Sequence, residues 1–164
     1  ALDAALCEAS EGGRWLVMCD TSPCLARMRK TLSGSLSLYE PVEFTLRFLA
    51  DRLEFRKKRG CVAVHATCST RAMGLTDALC RVAGMCAREV VLPEGIFCCG
   101  FSGDKGFTRP ELNAAALAGL CERIAACEEG FSTSRTCEVG LTKHGKKPYR
   151  NILYLIDECS AARK

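Results

Sequence analysis

Nothing in the chain approaches the roughly 18 consecutive apolar residues of a membrane span. The basic start, apolar middle and small-residue cleavage site of a secretory signal are missing as well. There is no Gly-x-Gly-x-x-Gly fingerprint and no phosphate-binding loop, which excludes the familiar nucleotide cradles. Neither of the two histidines falls in a convincing Ser–His–Asp set. Cys-x-x-Cys, the usual spacing of a zinc knuckle, does not occur. Basic runs are equally scarce. Arg56-Lys57-Lys58-Arg59 is the one dense stretch, and without interleaved aromatics it reads as a solvated turn before a strand rather than a nucleic-acid patch.

Cysteine, by contrast, is abundant. Thirteen of 164 residues are Cys, an odd number, in a chain with a net charge of +4 and an ordinary apolar content of 48%. Without an export signal a disulfide framework is not expected, and the count points to metal binding or redox chemistry in a cytoplasmic setting. The size suits one domain with a real core. The chain opens with Ala1 inside an expected helix, and so reads as a piece of something larger.

Strands and helices alternate in the pattern of residues. Arg14–Cys19 reads as a short buried strand, followed by a helix from Pro23 with Ser22 as its cap. Val42, Leu46, Leu49 and Leu53 share one face of a helix over 41–55. Cys61–Cys68 has the apolar, partly β-branched character of an interior parallel strand. Leu75, Leu79, Val82 and Cys86 mark the next helix, and Glu89–Leu92 a second strand. A Gly-rich loop over 97–106 leads to a helix over 110–127, a strand over 131–135 and a last helix over 149–159. This alternation predicts an α/β fold of three layers, a mostly parallel sheet with helices on both faces.

Most of the cysteines have a simple explanation. Cys80, Cys86, Cys121, Cys127 and Cys159 fall beside Leu, Val or Ile on helical faces and read as small core residues, as do Cys61 and Cys7. Cys19, at a strand end, is ambiguous. Five others differ. Cys24, Cys68, Cys98, Cys99 and Cys137 lie at strand ends or helix starts, which a parallel sheet gathers on one edge. Helix N-termini there favour thiolates. Gly100, Gly103 and Gly106 let the loop wrap closely around a bulky ligand. All-thiolate ligation suits an iron–sulfur cluster or zinc. Arg71, Lys105 and Arg135 stand where they would offset the negative charge. His65 reads as a core or supporting histidine, and His144 as a solvated one.

The stretches Val64-His-Ala-Thr-Cys68-Ser-Thr-Arg-Ala-Met-Gly-Leu75, Cys98-Cys-Gly-Phe-Ser-Gly-Asp-Lys-Gly-Phe107 and Ser132-Thr-Ser-Arg-Thr-Cys137-Glu-Val-Gly140 together resemble the cysteine-rich CCG domain. That family includes the CCG-bearing component of heterodisulfide reductase and the iron–sulfur component of glycolate oxidase. The likeness is greatest to the C-terminal part of fused FAD- and iron–sulfur-containing D-lactate dehydrogenases.

The resemblance implies Rossmann-like lobes, with residues 1–56 the tail of a preceding repeat and 57–164 a complete one. It implies a [4Fe–4S] cluster on Cys68, Cys98, Cys99 and Cys137, with Cys24 able to contribute, and zinc as the alternative metal. FAD would sit on an upstream portion or a partner subunit, and electrons would pass toward a quinone or cytochrome. Peripheral placement on the inner membrane face is compatible with this, and the alternative is a zinc-binding or metal-free docking module. One position departs from the family. Gly140 stands where the pattern ends in a second cysteine.

Overall fold

A computed structural model describes residues 1–32, 34 and 36–163. Lys164, the end of the expected second segment, and Ser33 and Ser35 of the first lie outside the described residues. The chain begins with helix α1 (Leu2–Ala9), strand β1 (Val17–Met18) and helix α2 (Ser22–Thr31). Strand β2 (Leu38–Tyr39) pairs in parallel with β1, and α3 (Pro41–Phe44) continues into a π-helical turn, Thr45–Leu49. Strand β3 (Leu53–Phe55) pairs antiparallel with the last strand of the chain.

The central sheet follows. Strand β4 (Arg59–Val64) leads into short helix α4 (Cys68–Ala72) and then α5 (Thr76–Cys86) and β5 (Ala87–Val91). Helices α6 (Lys105–Thr108), α7 (Pro110–Ala116) and α8 (Leu120–Arg123) precede β6 (Glu129–Ser132). Helix α9 (Arg135–Gly145), β7 (Tyr149–Asn151), α10 (Ile152–Cys159) and β8 (Ser160–Ala162) complete the order. The four strands β5-β4-β6-β7 are all parallel.

Alternation along β4 builds a core on each face. Val62 and Val64 point to one side, where Leu79, Val82 and Cys86 of α5 and Ile152, Leu155 and Ile156 of α10 meet them. Ala63 points to the other, among Leu117, Leu120, Ile124, Leu141 and Tyr149. A one-residue slip would exchange the two sets, so burial on both faces fixes the register. The α/β character, the parallel sheet and the helices on both faces are as the sequence predicts.

Several boundaries differ. The apolar run 14–19 is no buried strand: only Val17–Met18 pair, in a two-stranded sheet with Leu38–Tyr39, and Trp15, Leu16 and Met18 are exposed. The helix from Pro41 ends before Leu53, which instead pairs with Ala162. The helix over 110–127 is two pieces, broken where Gly119 takes a left-handed φ of 75°. Strand β6 starts two residues earlier than the pattern predicts, which moves Arg135 into α9. The last helix starts at Ile152, because Tyr149–Asn151 form an edge strand beside β6.

Two polar readings are also revised. Arg59 belongs to β4 and pairs with Glu129 and Glu158, at 2.8 and 2.5 Å, so the basic run is partly neutralised. His144 is half-buried, with its Nε2 shielded and without a partner.

His65 is a core histidine. It is 1% exposed, its Nε2 has no partner, and burial followed by the nearby Arg71 charge lowers its pKa from 6.5 to about 4. The unfolded chain therefore takes up this proton first as pH falls, and stability drops between pH 6.5 and pH 4. The shift corresponds to about 3 kcal/mol. His65→Gln should flatten that segment of a stability-against-pH profile from urea titrations; an unchanged slope would remove His65 as its source.

Candidate metal centre

The strand order places a switch point between β4 and β6, because the chain leaves these neighbours toward opposite faces. Open α/β sheets form their ligand crevice beyond the strand ends at such a point. Cys68 starts α4 just beyond β4, and Cys137 lies in the first turn of α9 just beyond β6. Residues 97–104 bring Cys98 and Cys99 to the same edge. Cys99 Sγ donates to Cys137 Sγ at 2.7 Å. Cys98 Sγ accepts from the Gly100 N–H at 3.3 Å.

The thiols are electrostatically linked. The hydrogen bond with Cys137 lowers the Cys99 pKa to about 7, against the opposing effect of burial, and the Phe101 backbone and Cys98 add to it. Cys137 is raised in return, by Cys99 first, then by burial, with the Cys68 charge contributing. The Cys99–Cys137 pair thus gives up one proton near neutrality and holds the second. Cys68 and Cys98 are exposed, Cys99 and Cys137 buried. Cys24, exposed on the first turn of α2, lies close enough to Cys19 for its charge to help raise the Cys19 pKa, after burial.

Three helix starts are fastened together beneath these residues by hydroxyl groups, and Ser22 among them is the first residue of α2 and not its cap, which is Thr21. Ser22 Oγ donates to the buried Glu40 carboxylate at 2.9 Å. Thr70 Oγ1 donates to Ser22 Oγ at 3.1 Å. Each hydroxyl has a single proton. Thr67 and Thr133 must therefore donate to Thr70, at 2.8 and 2.9 Å, and every proton in the chain runs toward Glu40. Thr67 caps α4, Thr133 precedes α9 and Ser22 opens α2. The network sets the positions of Cys68, Cys137 and Cys24 relative to one another.

Asn113 of α7 secures the loop. It is buried, and its Nδ2 donates to the carbonyl of Cys99. Gly100, at φ 72°, presses against the α7 backbone at Leu112 and Asn113, so it closes the loop onto the helix. Gly103, at φ 79°, borders open space. Gly106 lies against the buried ring of Phe101. At Gly140 a side chain would run into Asn113 and Phe101.

Of the three cations, Arg71 donates from Nε to the Ala66 carbonyl and stacks over Phe97, 5.2 Å from its centroid. Arg135 pairs with Glu138 at 3.2 Å, and Lys105 starts α6. Among the described residues no three Cys, His, Asp or Glu side chains are already arranged around one metal position. The donor set still fits a thiophilic metal in kind: Cys99 and Cys137 are in contact, Cys98 lies on the same loop and Cys68 starts the neighbouring helix, with Cys68 and Cys98 exposed.

No family model, curated protein or solved structure matches this chain. Among the described residues no helix is long and apolar enough to cross a membrane.

Proposed function

We propose that this chain is an iron–sulfur electron-transfer domain of a flavin-dependent 2-hydroxy-acid dehydrogenase of the D-lactate or glycolate kind. The observation that supports this reading is the contact of Cys99 with Cys137 at the crevice between β4 and β6, with Cys68 at the start of α4 and Cys98 on the Cys99 loop. These four would hold the cluster, and Cys24 lies on a helix start tied to theirs. A cluster bound there supplies a one-electron centre, taking electrons from flavin and passing them toward a quinone or cytochrome. The chain's own groups prepare the site. The Cys99–Cys137 pair releases a proton near pH 7, which gives a ligating thiolate without strong base. Arg71 and Arg135 bring positive charge to the same edge, and the hydroxyl network keeps the helix starts in place.

Anaerobic reconstitution with ferrous iron and sulfide tests the proposal. We expect broad visible absorption with bound iron and acid-labile sulfide, and at least a tenfold loss of iron in Cys99→Ala with the circular dichroism unchanged. Stoichiometric zinc that survives air, with no sulfide, would replace this reading by a zinc-binding docking module.

A further inference from the structure

A second thiol pair lies at the opposite end of β4. Cys61 Sγ and Cys127 Sγ are 3.2 Å apart, inside ordinary van der Waals contact for two sulfurs. Their backbones are neighbours: the Glu128 N–H donates to the Cys61 carbonyl at 2.9 Å, and Val62 is in register with Glu129. Cys127 is one residue short of the position level with Cys61, so a lateral spacing of about 4.8 Å and a rise of about 3.3 Å put the two Cα atoms roughly 6 Å apart, within the separation that a disulfide bridges without backbone movement. Both side chains face the Leu120–Ile124 side of the sheet. Cys61 is the third of the six residues of β4, and the three that follow it span about 10 Å before the chain reaches the Cys68 edge, so the pair lies apart from the proposed metal ligands.

The geometry points to Cys61 and Cys127 as a reversible oxidation site that closes to an intrachain disulfide by exchange with a low-molecular-weight disulfide such as glutathione disulfide. Cys61 is half-buried and can be reached from solvent, while Cys127 is 1% exposed. The Cys61 thiolate attacks one sulfur of glutathione disulfide and expels one glutathione thiolate. Cys127 then attacks Cys61 Sγ in the mixed disulfide and expels the second. Two protein thiols lose two electrons and two protons, and one glutathione disulfide becomes two glutathione molecules. The order of attack follows from access, and agrees with burial and the Cys61 contact pushing the Cys127 thiol up to about 12. The bond would fasten the start of β4 to the start of β6 and close residues 61–127, which carry Cys68, Cys98 and Cys99, into a covalent loop.

The test is incubation in glutathione buffers of rising oxidised fraction, followed by intact mass and peptide mapping. Cys61 and Cys68 share the tryptic peptide 60–71, and tandem fragmentation must separate them; Cys127 is alone in 124–135. In the wild type peptide mapping should find Cys61 joined to Cys127, two hydrogens lost from that pair whatever the state of Cys99, Cys137 and the exposed thiols, with reversion by dithiothreitol and a gain of about 10 °C in Tm. Cys127→Ser should stop at glutathione-bound Cys61, and Cys61→Ser should leave Cys127 reduced with no gain in Tm. Free Cys61 and Cys127 in strongly oxidising buffer, or Cys127 joined to another cysteine, overturns the proposal.

Discussion

Glu40→Ala should lower the unfolding free energy by about 4 kcal/mol and raise the alkylation rates of Cys24 and Cys68. Glu40 is fully buried, and its two carboxylate oxygens accept from Ser22 Oγ at 2.9 Å and from the Val42 N–H at 2.8 Å. Bonds to a charged acceptor contribute about 1.5–3 kcal/mol each, and the donors left behind are buried. The cavity adds to the loss. Burial raises the carboxyl's own pKa, which offsets part of this figure. Because Ser22 loses its acceptor, the donors behind it at Thr70, Thr67 and Thr133 lose their common direction. The damage should therefore spread to the cysteine edge. Glu40→Gln keeps one acceptor and should recover about half of the stability. Circular dichroism in urea measures the first effect, since Trp15 is exposed and a poor reporter. A variant within 1 kcal/mol of wild type, with unchanged thiol rates, would sink this account.

The sheet was legible where a segment has one reading. Val62-Ala-Val64 is apolar without interruption, and such a run suits a strand covered on both faces. Leu79, Val82 and Cys86 repeat at helical spacing and form the buried side of α5. The run Trp15-Leu-Val-Met18 looks similar in composition, yet lies exposed on a two-stranded edge, because periodicity reports shape and not what covers it. The break at Gly119 is hidden in the sequence because the apolar spacing continues past it to Leu120 and Ile124.

Strand β7 uses Tyr149-Arg-Asn, which carries no alternation to read; Arg150 instead pairs with Glu129 and Glu158. At the site, spacing singled out the Cys68, Cys98, Cys99 and Cys137 positions, since strand-end cysteines converge in any parallel sheet. The groups that hold them were invisible for the opposite reason. Ser22, Glu40, Thr70 and Thr133 come from distant parts of the chain, and a lone Ser, Thr or Glu has no local pattern that marks it as buried. Asn113 is equally silent, a single amide beside the alanines of α7.

Gly140→Cys should destabilise the domain by about 3 kcal/mol and bind no additional iron, although it restores the second cysteine of the family pattern. Replacing a glycine inside a helix normally gains up to about 1 kcal/mol from propensity. Here the gain is outweighed. A Cβ at this position would lie 2.9 Å from the Phe101 ring and would overlap the Asn113 amide. The amide is not free to swing aside, because its Nδ2 holds the Cys99 carbonyl, and Phe101 is packed in the core and stacked edge-on with Phe107. The new side chain must therefore displace the group that shapes the Cys98–Cys99 loop. An added thiol would remove support from two existing sulfurs while supplying one. Gly140→Ala isolates the steric part and should cost nearly as much, with a parallel loss of iron on reconstitution. If Gly140→Cys proved as stable as wild type and took up more iron per chain, the space at Gly140 would belong to the cluster and not to Asn113 and Phe101.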